Sequence, residues 1–77
     1  MNEYKKATPE DIGKIIQFRT VCTSTGDWLK RGWVNAIFAG QVHGVYRRVG
    51  NAYCALVRSN GGESHKVLFY KEARVRL

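Results

Sequence analysis

Acidic side chains are scarce in this chain: six Asp and Glu stand against thirteen Lys and Arg, a net charge of +7 in 77 residues. The few that exist, Glu3, Glu10, Asp11, Asp27, Glu63 and Glu72, are scattered through a tail, a cap, turns and a bend. They form no carboxylate pair of the kind general acid–base chemistry needs. Cysteine is limited to Cys22 and Cys54, without a CxxC spacing. With His43 and His65 far from both, the paired-ligand pattern of a structural zinc site is missing, so no metal is expected. Both cysteines sit in apolar runs and read as buried thiols in a reducing cytosol; spacing alone leaves a disulfide between neighbouring strands open. No apolar run approaches the ~20 residues of a membrane-spanning helix, and Met1–Lys6 has no hydrophobic leader core. None of the glycines stands between a strand and a real helix, which excludes a phosphate-cradling fingerprint. The expectation is a cytoplasmic, non-enzymatic protein with no cofactor and no membrane segment.

What is present is apolar and β-prone. Hydrophobic residues make up 44% of the chain and nine positions are aromatic, too much for a chain that stays disordered. The length fits one domain over residues 1–77, with 1–6 as a flexible tail. Cores of this size contribute little net stability, which makes homo-oligomerisation an expectation.

Thr8-Pro9-Glu10-Asp11 reads as a short helical or 3₁₀ turn near residues 8–13: Thr8 as N-cap, Pro9 at the first helical position, and acidic residues facing the positive end of the dipole. From Lys14 to Thr23 apolar residues alternate, with Ile16, Phe18 and Cys22 on one face and Gln17 and Arg19 on the other, a half-buried strand. A second β-rich run extends from Trp33 to Ala39 and ends at Gly40. Gly50-Asn51 has the residue order of a two-residue type II′ hairpin loop. That loop would pair Val49 with Ala52, Arg48 with Tyr53, and Val45 with Leu56. Val45, Val49, Ala52, Cys54 and Leu56 would then face the core, while Tyr46, Arg48, Tyr53, Ala55 and Val57 would face outward. Lys66–Tyr70 forms a further strand, Lys71-Glu72-Ala73 breaks its alternation, and Arg74–Leu77 resumes as a closing strand. The fold class is all-β: a five- or six-stranded SH3-like barrel or strongly curled antiparallel sheet, since closure removes exposed edges.

At its two ends, Tyr4-Lys5-Lys6-Ala7-Thr8-Pro9-Glu10-Asp11-Ile12-Gly13-Lys14 and Tyr70-Lys71-Glu72-Ala73-Arg74-Val75, the chain resembles a group of short open reading frames of tailed bacteriophages. The resemblance implies a small accessory protein in the bacterial host's cytoplasm, one that binds host or viral macromolecules or sequesters a signalling nucleotide. It transfers no functional residue.

Charge and aromatics together point to an anionic ligand. Tyr46, Arg48 and Tyr53 combine ring stacking with charge, Trp28 and Trp33 bracket Lys30 and Arg31, and Arg74 and Arg76 share a face of the last strand. These residues suit nucleic acid or a small nucleotide. The alternative is an inhibitor or adaptor that docks on an acidic host protein through a Trp-centred patch or an open strand edge.

Overall fold

The computed structural model describes residues 3–45, 50–59, 61–62 and 64–77. β2 (Ile15–Cys22) begins as the sequence periodicity implies, with Ile16 and Phe18 in the main core; Thr20 and Cys22 are buried as well. The other strands are β1 (Tyr4–Lys6), β3 (Trp28–Leu29), β4 (Val34–His43), β5 (Asn51–Arg58) and β6 (His65–Arg76). They form one antiparallel sheet in the order β1-β6-β5-β4-β2-β3. β6 also pairs with β2, so the sheet curls back on itself, the all-β arrangement expected of so small a chain.

The core is an aromatic cluster set in alanine. Phe18 packs 6.2 Å from Phe38 and 5.1 Å from Tyr70, and Phe38 lies 6.0 Å from Tyr53. Ala7, Ala36, Ala55 and Ala73 fill the space between them. Small residues let the curled strands approach closely enough for three or four rings to supply most of the buried area. A satellite cluster joins Cys22 and Ala52 with Trp28, Val45 and Phe69.

A 3₁₀ turn at Pro9–Asp11 links β1 to β2, in the place and with the Pro anticipated from sequence. Its anchor is Asp11 rather than Thr8. The Asp11 carboxylate, almost fully buried, accepts hydrogen bonds from the Thr8 backbone N–H (3.0 Å), the Thr8 hydroxyl (3.2 Å) and Lys14 Nζ (3.3 Å), with Lys5 Nζ at 4.0 Å. The Thr8 N–H foremost, with the two lysines, lowers its pKa against the cost of burial.

Four sequence expectations are corrected. Residues 4–6 are no tail: β1 pairs with β6, Tyr4 opposite Arg76 and Lys6 opposite Arg74. β4 does not end at Gly40 but runs to His43 through a β-bulge, where the register steps between Phe38 and Gly40 and Gly40 adopts φ +108°. Gly50-Asn51 is not a two-residue hairpin loop. Asn51 begins β5 opposite His43, Ala52 faces Val42 and Tyr53 faces Gln41. Both faces of β5 are therefore covered in part: Ala52 and Cys54 are buried as the sequence implies, but Tyr53, Ala55 and Val57, expected outward, turn toward the main core, and Leu56 lies half-buried on the opposite side. Tyr46, Arg48 and Val49 lie outside the described residues.

The fourth correction is at Lys71-Glu72-Ala73, where β6 continues without a break. Tyr70 and Ala73, three residues apart, both enter the main core, so the strand changes phase between them. β2 does the same at the same level, because Phe18 and Val21 both pack inward and Thr20 between them has φ +63°. A β-branched residue adopts that conformation only under constraint. Arg19 and Val21 on either side of Thr20 are paired to Glu72 and Tyr70 of β6, and the Thr20 hydroxyl donates to Glu72 Oε2 at 2.5 Å. Among the described residues, no helix is long and apolar enough to cross a membrane.

Candidate functional site

The register of β1, β6 and β2 brings distant residues side by side. Lys6 sits opposite Arg74, Arg74 opposite Gln17, and Arg19 opposite Glu72. Trp33, the residue before β4, covers two of these side chains. The Arg74 guanidinium lies 3.8 Å from the Trp33 ring centroid and 3.7 Å from that of Tyr4, and its Nε donates to Gln17 Oε1 at 2.7 Å. Arg19 lies 4.5 Å from the same Trp33 ring. Its Nε and Nη2 grip Glu72 Oε2 and Oε1 at 3.0 and 2.8 Å.

This pairing satisfies the one acid in the cluster. The Arg19 hydrogen bonds, then that of Thr20, hold the Glu72 carboxyl down at about 2, and Lys30 adds a smaller attraction. Glu72 therefore stays ionised and occupied by Arg19. Around Tyr4, Trp33 and Arg74 opens a cleft of about 430 Å³ whose remaining wall includes Lys5, Lys6 and Lys71. The cleft offers a fixed guanidinium, flanking aromatic rings and exposed ammonium groups. Those are the elements that hold phosphates and the faces of bases. No protein-family model, curated protein or solved structure matches the chain.

The structure gathers only part of the set anticipated from sequence. Arg74 is the centre of the stack, and Arg76 follows two residues on, opposite Tyr4. Lys30 and Arg31 are exposed between β3 and β4, Lys30 close enough to Glu72 to act on its charge and Arg31 close enough to Tyr70. Tyr53 reaches the cleft wall but is half-buried against Phe38, a ring of the core more than a free platform. Trp28 is half-buried in the satellite cluster with Cys22 and Ala52. Tyr46 and Arg48 lie outside the described residues.

The sequence alone does not reveal Tyr4 and Gln17 as partners of Arg74, or Arg19 as its neighbour under the same indole, and places Trp33 only as a bracket around Lys30 and Arg31. Gln17 and Arg19 had been assigned correctly to the outward side of their strand. Their link to Arg74 depends on the β2–β6 pairing, 57 residues apart for Gln17 and Arg74, which no local pattern encodes. Among the described residues, no group of three or more His, Cys, Asp or Glu converges as a metal site would require.

Proposed function

We propose that this protein is a non-enzymatic binding module for a nucleotide-built anionic ligand, held in the cleft around Tyr4, Trp33 and Arg74. The observation that carries the reading is the Arg74 guanidinium held between two aromatic rings with lysines on the rim. A guanidinium fixed in this way presents its outer N–H groups to phosphate without losing much side-chain freedom on binding. The rings beside it offer surfaces for a base. The net charge of +7 supports the same reading by drawing polyanions toward the surface. In the bacteriophage setting that the ends of the sequence resemble, the ligand is host or viral nucleic acid, or a signalling nucleotide.

Nucleic acid and small nucleotides share this chemistry, so one titration with several probes separates them. Fluorescence polarisation with a labelled 12-nucleotide single strand of DNA and of RNA, at 50 and 200 mM salt, tests the polymer. Quenching of Trp fluorescence by a mononucleotide and by cyclic dinucleotides tests the small ligand. Polymer binding that falls steeply with salt, and weakens in Arg74→Ala, supports a nucleic-acid ligand. Saturable quenching by a small nucleotide alone supports sequestration. Absence of binding to every probe at 50 mM salt overturns the proposal.

A further inference from the structure

Away from the cleft, the strand registers align four aliphatic side chains in one row. Ile15 of β2 pairs with Ile37 of β4, Ile37 with Leu56 of β5, and Leu56 with Val67 of β6. Their sequence neighbours Ile16, Ala36, Phe38, Ala55 and Leu68 all enter the main core. Alternation therefore turns the row to the outer face. Ile15 is 72% exposed and Val67 48% exposed, while Ile37 and Leu56 are half-buried between them. A shallow groove of about 530 Å³ runs along Ile15, Ile37 and Leu56 of this row.

Four adjacent branched or aliphatic residues across four strands do not arise from the need to cover a core. A solvent-facing row of a curled sheet is ordinarily polar. The next row along the same strands shows the ordinary case: Gln17 of β2 opposite Asn35 of β4. A contiguous apolar patch with a polar border marks a surface that another molecule covers.

The border decides which molecule. Arg58 and His65, opposite one another on β5 and β6, close one end of the groove, and none of the described residues lining it is acidic. Arg58 Nε donates to the Gly62 carbonyl at 2.9 Å, which restrains the guanidinium beside the groove. A second copy of the chain would bring another such border and another +7 to the interface. We infer that the Ile15–Ile37–Leu56–Val67 row docks a polypeptide segment of a partner protein that presents aliphatic side chains flanked by carboxylates. An amphipathic helix with leucines on one face and glutamates beside them has that chemistry.

The probe is a 16-residue helical peptide with leucines at heptad spacing and glutamates on the flanks, alongside the same peptide with lysine at every glutamate position. Methyl NMR spectra of the full chain are recorded during titration with each. The acidic peptide is expected to shift the methyl signals of Ile15, Ile37, Leu56 and Val67 saturably. Ile37→Asp is expected to weaken it at least tenfold, and Arg74→Ala to leave it unchanged. Ile37→Asp keeps the core because residue 37 points away from it; dispersed amide spectra for that variant confirm the fold. Perturbation confined to the Trp33 cleft, equal binding of the lysine peptide, or no binding at all overturns the inference. So does concentration-dependent dimerisation of the parent that Ile37→Asp abolishes, because the second copy then owns the face.

Discussion

Arg19 and Glu72 form a two-point ion pair, Nε to Oε2 at 3.0 Å and Nη2 to Oε1 at 2.8 Å, across the level where β2 and β6 both change phase. Glu72 thus does two jobs: it neutralises Arg19 beside Trp33, and it accepts the hydroxyl hydrogen bond of Thr20, the residue in the left-handed conformation. Its carboxyl is held at about 2, below the ordinary 4.5 it regains on unfolding. The folded state therefore binds fewer protons than the unfolded state between those values. The stability this group contributes is complete above pH about 4.5 and is lost as the pH falls toward about 2. Asp11, also lowered, adds to the same acid slope. Melting temperature measured from pH 7 to pH 2 should fall below about pH 4.5, and Glu72→Gln should lower the neutral-pH value and flatten that fall. An unchanged acid slope in the variant would show that other carboxylates control it.

Phe18 is fully buried among Phe38, Tyr70 and alanines that cannot move in to fill a hole. Phe18→Ala should cost about 3–5 kcal/mol, enough to leave a domain of this size largely unfolded. Leu56→Ala, on the outer face, should cost no more than about 1–2 kcal/mol because only part of its side chain leaves water on folding. Denaturant titrations of the two variants check the order. The reverse order would restore the register in which Leu56 faces the core.

Arg74→Ala should weaken binding of a nucleic-acid single strand about tenfold and reduce the slope of log affinity against log salt by roughly one phosphate contact. Arg74→Lys should recover the charge without the planar stack, and so restore the salt slope better than the affinity. Polarisation titrations at several salt concentrations separate the two effects.

Cys22 and Cys54 are free and buried, and desolvation pushes both thiols up. They should react slowly with a thiol reagent at pH 8 in the native state and quickly in denaturant. Rapid native labelling of Cys54 would show that the outer side of β5 opens readily.

The legibility of this fold from its sequence divides along the range of the interactions. β2 and the Pro9 turn could be read because their signals are local: an eight-residue alternation, and a Thr-Pro-Glu-Asp start. The hairpin failed because Gly50-Asn51 satisfies the local rule for a tight loop, while the pairing of Val42 with Ala52 buries Phe38 and Ala55 together. Tertiary burial outweighed turn preference. At Lys71-Glu72-Ala73 the irregular pattern was visible, but a phase change inside a strand and the end of a strand look alike until the partner is known. Arg74 stands out by its alternation with Arg76, whereas Tyr4 is joined to it only by the β1–β6 register and Trp33 only by the β2–β4 and β2–β6 registers.

The three-way pairing of β6 has a consequence for how the chain matures during synthesis. β1, β2 and β5 each take β6 as a neighbour, and it is the last strand of the sheet to be made. Until it leaves the ribosome, β1 has no strand to join, Phe18 lacks Tyr70, and Trp33 lacks the arginine it stacks on. Long-range pairings of this kind form late because loop closure must precede any gain from contact. The nascent chain therefore presents its aromatic core and its cationic cleft as separate, unfinished pieces, and both wait on the same strand.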